Sequence, residues 1–498
     1  MTPVNEVADR GKNFFAQAFE NQKEAANKVS SIREAVRRVF NEHDPRVPSF
    51  TTYSYDSLYC MTLMANLAGF KTKDDIRMFW ICNPDKFKAF FPELDTIPST
   101  ATINRALRLI DESVMKDEMN YVLTNQYDLV RKADGSYFTV DLCKRDVIGC
   151  DGQAMRATAK RKFGGGRETG FQITSLVSYN TGITLGQLIH NIKNQEREDI
   201  IEIAKEANIA NAILTWDAIN TVAPVVDMAV NKGADVFVCV KSNQSKLYND
   251  CKTAVDAYRE GNPLYHQEGR FATGHAMHAS GGKIYTKSIV VLVADDCMVK
   301  DIRPKWKNIN TISCITTECY DPVTGKTTVS DRYFISSIPL NLEKYPNIAN
   351  DFIQISLKRW CVEVNHYYLD TFFNQDRATY EYEGAAYTST IMSKVVTSAF
   401  NFAKNAYNAE ELRYKGACTT PNLKMACSDL NFSMLLLESF FSNKPELLVK
   451  SELSVRFKFM KQDVLESPKP TSAPQKPETP SVFKLEDFLK SRKVKKAG

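Results

Sequence analysis

From residue 53 to residue 132 the apolar residues recur at the spacing of an α-helix. Leu58, Met61, Ala65 and Ala68 share one helical face, a pattern that predicts helices packing through that face. The polar, helix-prone segment before them ends at a stretch with two prolines at 44–48, where a helix cannot continue. We therefore predict a polar helical segment at 1–44 and an all-helical domain at 45–135.

One helix of this domain has a clear start signal. Ser99 is placed to cap a helix whose apolar face includes Ile103 and Leu107, while Arg105 and Arg108 lie on another face. Exposed arginines suit binding to a DNA end, but the solvated surface of a packing helix is the commoner role of such a face. The sequence leaves both interpretations open.

After residue 135 the pattern changes to short β-branched runs, which predict strands. The runs at 147–150, 170–179 and 184–192 read as an antiparallel meander, and a further short strand is expected at 137–140. The elements predicted next are a helix at 196–207, a strand at 212–216, a helix at 222–231 and a strand at 235–240. This order predicts an α/β fold with a ribonuclease H-like mixed sheet and helices on both faces.

The second half of the chain interrupts this core. Strands are predicted at 283–294, 311–317 and 327–338, with a hairpin turn at 321–325, followed by helices at 349–369, 389–407 and 431–441. The predicted divisions after the helical domain are a first part of the core at 136–245, a β-rich insertion at 246–345, a second part of the core at 346–450, and a Pro-rich linker with a basic disordered tail at 451–498.

Composition excludes several classes of protein. The 498 residues suit about three domains, and the longest aliphatic run, six residues at 289–294, is far short of the ~20 that cross a bilayer. The first thirty residues contain no apolar signal core, and no CxxC pair supports a zinc or thioredoxin-like site. We expect a protein without membrane contact, acting in the cytoplasm and nucleoid of a bacterium or the nucleus of a eukaryotic host.

Three acids stand out by position. Asp151 and Asp217 each follow an apolar strand, and these two strands are neighbours in the predicted sheet. Glu363 lies in the predicted helix 349–369, on a face shared with Arg359, His366 and Asp370. The apolar stripe that we expect to face the sheet is Ile353, Leu357, Trp360 and Val364.

Clustered carboxylates repel one another unless cations compensate them. Mg²⁺ prefers carboxylate oxygens and leaves positions open for phosphate. We therefore expect Asp151, Asp217 and Glu363 to be catalytic residues that bind Mg²⁺, with Mn²⁺ as a substitute. Two such ions would support an in-line phosphoryl transfer.

The net charge of +5 comes from the C-terminal tail, because residues 467–498 hold eight Lys or Arg and three acids. The densest basic cluster elsewhere follows Asp151 around three glycines. Its adjacency to Asp151 favours nucleic-acid binding over a merely solvated loop. The predicted DNA-binding residues of this loop are Arg156, Lys160, Arg161, Lys162 and Arg167.

Five segments together resemble a known family: DGQAMRAT at 151–158, VSYNTGITLGQ at 177–187, LTWDA at 214–218, KSNQ at 241–244 and RWCVE at 359–363. The chain resembles the DDE transposases of bacterial insertion sequences, in the branch with the H-repeat-associated proteins, from about residue 44 to residue 404. Two departures are Val364, where the family usually has Asn, and a His275-Ala-Met-His278 segment in place of His-Gly-Arg.

The resemblance implies that Asp151, Asp217 and Glu363 form the metal-binding triad and that Arg359 contacts phosphate. It implies cutting of double-stranded DNA at terminal inverted repeats, transfer of the 3′-hydroxyl to target DNA, and a homodimer that joins two ends. Two alternatives stay open: a domesticated, inactive DNA-binding protein and a metal-dependent nuclease of the same fold.

Overall fold

A computed structural model of the chain describes residues 46–109, 112–159, 170–190, 195–377, 383–410 and 420–449. Within these residues a mixed nine-stranded sheet carries helices on both faces. The segments predicted at 1–44 and 451–498 lie outside the described residues. No helix in the described ranges has the length and apolar character needed to cross a bilayer.

The sheet contains the predicted meander. Its strands are β1 (Val147–Ala154), β2 (Gln172–Ser178), β3 (Thr184–His190), β4 (Ile213–Trp216), β5 (Asp235–Val240), β6 (Phe271–Ser280), β7 (Lys283–Val293), β8 (Thr311–Asp321) and β9 (Lys326–Ser336). Their order is β3-β2-β1-β4-β5-β9-β8-β7-β6. β1, β2 and β3 are antiparallel neighbours, while β4 and β5 continue the sheet parallel to β1. The predicted antiparallel meander and the predicted adjacency of β1 and β4 are confirmed.

The helices fall into three groups along the chain. The first is α1 (Tyr55–Leu67), α2 (Lys73–Ile81), α3 (Pro84–Phe90), α4 (Thr100–Leu109) and α5 (Glu112–Asp134). The second is α6 (Glu196–Glu206), α7 (Ala223–Asn231), α8 (Ser245–Arg259) and the short α9 (Ala294–Cys297). The third is α10 (Ile348–Lys358), α11 (Cys361–Phe373), α12 (Glu383–Glu410), α13 (Thr420–Ala426), α14 (Leu430–Ser442) and α15 (Pro445–Val449).

The N-terminal helices share their core with the C-terminal ones. Every residue of α1 is buried, because α1 packs against α12 and α14 as well as against α2 and α4. The sequence predicted one buried apolar face for this helix, whereas the structure buries all of its faces. The predicted cap of α4 is confirmed, since the Thr102 amide donates to Ser99 Oγ at 3.1 Å.

The two faces of the sheet are covered by different helices. α6, α7 and α8 lie on one face, and α10 and α11 lie on the other. Ile148 and Cys150 belong to the core of the first face, whereas Val147 belongs to the core beneath α10. Because side chains alternate along a strand, odd-numbered residues of β1 point towards α10 and α11.

The strands of the insertion extend the core sheet. β9 pairs antiparallel with β5, with Val240 opposite Tyr333, so that β6 to β9 continue the same surface. The hairpin turn predicted at 321–325 is confirmed by the pairing of Asp321 with Lys326. The sequence prediction missed α8 and β6.

Two predicted elements are wrong. Residues 137–140 form no strand. Asn211 Nδ2 donates to the carbonyl oxygens of Tyr137 and Thr139, which in a strand would accept from a neighbouring strand. The helix predicted at 349–369 breaks into α10 and α11 at Arg359 and Trp360.

The helix break also changes the predicted apolar stripe. Ile353 is buried as expected, but Trp360 and Val364 are each 48% exposed. After the break, Val362, His366 and other residues of α11 are buried instead.

Candidate active site

Asp151 and Asp217 occupy matching positions on neighbouring parallel strands. β1 pairs with β4 so that Cys150 lies opposite Trp216, and the two aspartates are the next residues along. The sequence places Asp151 just beyond its strand, whereas the structure continues β1 to Ala154 through pairing with β2. The aspartates therefore lie where the parallel pairing ends.

Both aspartates point to the face that carries α11. A Cβ on Gly149 would lie 2.9 Å from Cys361 Sγ at the start of α11. Residues two apart in a strand share a face, so Asp151 is directed to the same side. Ile213 belongs to the core beneath α10, and alternation along β4 directs Asp217 to that side as well.

Glu363 reaches this face from the first turn of α11. Arg359, in the turn before the helix, places its Nη1 3.7 Å from Glu363 Oε1. Glu363 Oε2 is buried and has no hydrogen-bond partner among the described residues, which is costly for a carboxylate. The structure thus brings the three acids to one side of the sheet and leaves one of their oxygens uncompensated.

Asp151 holds its proton unusually tightly. Burial, followed by the negative charges of Glu363 and Glu196, raises the pKa of Asp151 to about 7. The His366 ring does not offset this effect, because burial lowers the pKa of His366 to about 3 and leaves the imidazole neutral. Its Nδ1 lies 3.8 Å from Asp151 Oδ2. Carboxyl charges are therefore crowded around Asp151.

Asp217 is compensated by a lysine that the sequence prediction did not single out as a site residue. Lys241 Nζ donates to Asp217 Oδ1 at 3.0 Å. Burial acts to raise the pKa of Asp217, but the hydrogen bonds from Lys241 and the Ala218 backbone, with the charges of Lys241 and Arg359, outweigh it and lower the pKa. Lys241 directly follows the buried strand β5, as Asp217 follows β4, so the same strand-end argument could have found it.

Glu196 and Lys394 were also missed. A Cβ on Gly152 would lie 2.3 Å from Glu196 Oε1, so this acid sits against β1 from the α6 side. Lys394 of α12 is completely buried and donates to Ser175 Oγ at 2.9 Å and to Asn365 Oδ1 at 3.2 Å. A single lysine in the otherwise uncharged residues 384–403 was a signal for a buried polar contact; no sequence signal marked Glu196.

The donor atoms suit a hard divalent cation, although the side chains are not gathered around one. In the part of the chain that the structure describes, no group of three or more His, Cys, Asp and Glu side chains is arranged to hold a metal ion. Glu363 Oε2 and the crowded Asp151 carboxyl are nevertheless what a cation would stabilise. At Asp217 the ammonium of Lys241 supplies the positive charge.

Of the predicted DNA-binding residues in the basic loop, the structure describes only Arg156. The Arg156 side chain is 82% exposed, with its Nε 3.8 Å from Asp376 Oδ2, so its guanidinium faces solvent. The other residues predicted to bind DNA in this loop lie outside the described residues: Lys160, Arg161, Lys162 and Arg167.

A cavity of about 510 Å³ opens beside Asp217. Its walls come from the end of β5, from the middle of β7, β8 and β9, and from the break between α10 and α11. We call it the basic cleft, because its lining includes the cations Lys241, Lys287, Arg332 and Arg359.

Fold and site together define a mixed α/β protein with two aspartates at the end of a parallel strand pair, a glutamate on the helix above them, and a basic cleft beside them. The DDE_Tnp_1-associated family model matches residues 38–120. The candidate transposase YncI of Escherichia coli O157:H7 is 24% identical over 58% of this chain and 71% of its own length. The H repeat-associated candidate transposase YbfD of Escherichia coli K12 is 23% identical over 41% of this chain and 77% of its own length.

The chain is related to the DDE transposases of bacterial insertion sequences, in the H-repeat-associated branch, which confirms the resemblance found in the sequence. Among solved structures, a cryo-EM structure of a piggyBac transposase synaptic complex with hairpin DNA is 11% identical and covers 90% of this chain and 86% of that chain. Its TM-score of 0.34 is too low to carry an argument about this protein.

Proposed function

We propose that the chain is a DNA transposase that cuts at transposon ends and transfers the 3′-hydroxyl to target DNA by phosphoryl transfer at a two-metal site. One observation carries the proposal: Asp151 and Asp217 lie side by side at the end of a parallel strand pair, on the face that Glu363 reaches from α11. The relation to transposases supports the choice of DNA as substrate.

The strand order supports a ribonuclease H-like core. Three antiparallel strands are followed by two parallel ones in the order β3-β2-β1-β4-β5, with helices on both faces. In such a sheet, side chains at the ends of β1 and β4 become neighbours although they are far apart in sequence. The insertion joins at β5, next to the site rather than away from it.

Asp151, Asp217 and Glu363 are the residues proposed to hold Mg²⁺ or Mn²⁺. Bound there, two divalent ions would activate the attacking hydroxyl and stabilise the leaving oxygen. For this set to assemble, Lys241 must leave Asp217 Oδ1 and Asp151 must give up the proton that its raised pKa favours. The charge of Arg359 helps to lower the pKa of Asp217 and partly opposes the rise in the pKa of Asp151, so Arg359 is proposed to neutralise a phosphate at this site.

Cleavage of labelled double-stranded DNA tests the proposal. The substrate carries the sequences that flank the reading frame, with Mg²⁺ or Mn²⁺ present. We expect nicks with 3′-hydroxyl ends and joined products from the wild type, and neither from Asp217→Asn. The matched control is Asp301→Asn, which removes an exposed acid outside the site and should leave cleavage unchanged.

The other outcomes identify the alternatives. DNA binding without nicking by the wild type would indicate an inactive DNA-binding protein. Hydrolysis without any joined product would indicate a nuclease of the same fold. Cleavage that persists in Asp217→Asn would show that this aspartate has the wrong role.

A further inference from the structure

The basic cleft carries its cations on the same face of the sheet as the three acids. Phe237, Ile289 and Phe334 all belong to the core beneath α10. By strand alternation, Lys287 lies on the face of Ile289, and Arg332 lies on the face of Phe334. α10 covers this face only as far as the helix break, and the cleft opens beyond it.

Charge changes sign across this face. Acids lie where the pairing of β1 with β4 ends, and cations follow at the end of β5 and on β9 and β7. Val240 pairs with Tyr333, which brings Lys241, the next residue, level with Arg332. The acidic site therefore continues directly into a positive surface to which the insertion contributes Lys287 and Arg332.

Two of these cations lack a counter-charge. Lys241 is paired with Asp217, and Arg359 with Glu363. Lys287 Nζ donates only to Thr317 Oγ1, at 3.1 Å, and no hydrogen bond or ion pair joins Arg332 to another residue in the described ranges.

The nearest acid of the insertion is already engaged elsewhere. Asp331 accepts from Arg259 Nη1 at 2.8 Å and from Thr316 Oγ1 at 2.6 Å. Burial, and after it the charge of Arg332, lower the pKa of Lys287. These neighbouring cations repel one another, and a bound anion would relieve that repulsion.

We propose that Lys287 and Arg332 form a phosphate subsite that holds the backbone of a DNA strand as it leaves the three acids. The inference rests on the proposed function for the choice of DNA and for the direction of that strand. The cleft volume is in the range of sites that hold small molecules the size of one nucleotide. Guanidinium and ammonium groups are the usual contacts to backbone phosphates.

The opposite wall of the cleft supports a nucleic acid over a simple inorganic anion. Trp360 is 48% exposed, and the Arg359 guanidinium lies 5.1 Å from the centre of its ring. Tyr248, which is half-buried, also lines the cleft. Aromatic side chains beside a positive groove are typical of binding to an unpaired nucleic-acid strand.

The salt dependence of DNA binding tests the subsite. Binding of a fluorescent oligonucleotide duplex with a single-stranded overhang is measured in EDTA from 50 to 300 mM salt, so that no cleavage interferes. Each lost phosphate contact should reduce the slope of log K against log salt by about 0.7 to 0.9. We expect Lys287→Gln and Arg332→Gln each to reduce the slope by the amount that corresponds to about one phosphate contact. The double variant should reduce it by the amount for about two contacts.

A matched double variant separates the subsite from general charge. Lys300→Gln with Lys326→Gln removes two exposed cations of the insertion outside the cleft and should keep the wild-type slope. An unchanged slope in the Lys287/Arg332 variant, an equal loss in the control, or absence of DNA binding by the wild type would overturn the subsite. A reduced slope in a protein that never cuts DNA would retain the subsite and reject the transposase reaction instead.

Discussion

Lys241 Nζ lies 3.0 Å from Asp217 Oδ1, at the ends of the adjacent strands β4 and β5. The lysine supplies the positive charge that the carboxylate needs where no metal ion is bound. The same contact competes with a metal ion for the oxygen. Lys241 is therefore expected to control how readily the three acids assemble.

Removing this lysine should strengthen the response to divalent ions. In Lys241→Gln the Asp217 carboxylate loses its partner, so a bound cation should stabilise the fold more than in the wild type. The measurement is the increase in thermal unfolding midpoint on adding Mg²⁺ or Mn²⁺. Lys246→Gln, an exposed lysine on α8, is the control; an equal increase in all three proteins would contradict this role of Lys241.

The raised pKa of Asp151 predicts a pH-dependent stability. The folded protein keeps this proton up to about pH 7, whereas an ordinary aspartate releases it near pH 3.8. Folding therefore binds a proton in this window, and stability falls as the pH rises through it, by at most about 1.4 kcal/mol per pH unit. Urea unfolding in EDTA at pH 5 to 8 should show the wild type losing stability relative to Asp151→Asn as the pH increases.

Glu363 should account for part of that dependence. Its charge is the largest cause after burial of the raised pKa of Asp151. In Glu363→Gln the pKa of Asp151 should fall. The stability of this variant should therefore change less with pH, relative to the double variant Asp151→Asn/Glu363→Gln, than the stability of the wild type changes relative to Asp151→Asn. The same urea series measures it, and an unaltered pH profile would mean that Glu363 does not face Asp151.

The buried Lys394 should make the stability of the protein rise with pH, which is the opposite of the effect of Asp151. Burial lowers the pKa of Lys394 to about 7 from an ordinary value of 10.5. The unfolded chain therefore binds more protons than the folded one between these values, and stability rises with pH in this window. From pH 7 to 10 the unfolding midpoint of the wild type should rise relative to that of Lys394→Met. The control Lys252→Met, on the surface of α8, should show the same pH dependence of the midpoint as the wild type.

The close approach of α11 to β1 should make Gly149 intolerant of a side chain. A Cβ there would meet Cys361 Sγ at 2.9 Å and the Arg359 carbonyl oxygen at 3.2 Å. Gly149→Ala should cost about 1–3 kcal/mol through overpacking, measured by urea unfolding. Adding Cys361→Ala removes the shorter contact and should recover part of the loss; no recovery would place the strain elsewhere.

The sequence predicted what depends on local pattern. β1 to β5 were found because their β-branched runs are buried and bounded by turns, and the two aspartates followed from the ends of β1 and β4. β6 was missed because its side chains are mostly exposed or half-buried, with Gly274 admitting Asn350 of α10. A strand with exposed side chains does not need apolar residues, so its sequence lacks the apolar run by which a buried strand is recognised.

The remaining errors concern contacts between distant segments. The break at Arg359 and Trp360 carries no Gly or Pro, so the pattern predicted one continuous helix there. Residues 137–140 have a strand-like sequence, but their carbonyl groups bond to a side chain of a remote segment. The charge pairing of Lys241 with Asp217 likewise depends on strand order.

Crystals of the protein grown with Mn²⁺ and measured at the manganese absorption edge test the metal site most directly. We expect anomalous density within about 2.5 Å of carboxylate oxygens from Asp151, Asp217 and Glu363, with the Lys241 ammonium displaced from Asp217. Manganese bound only elsewhere, with Lys241 still on Asp217 Oδ1 at saturating Mn²⁺, would contradict a metal-dependent transposase at this site.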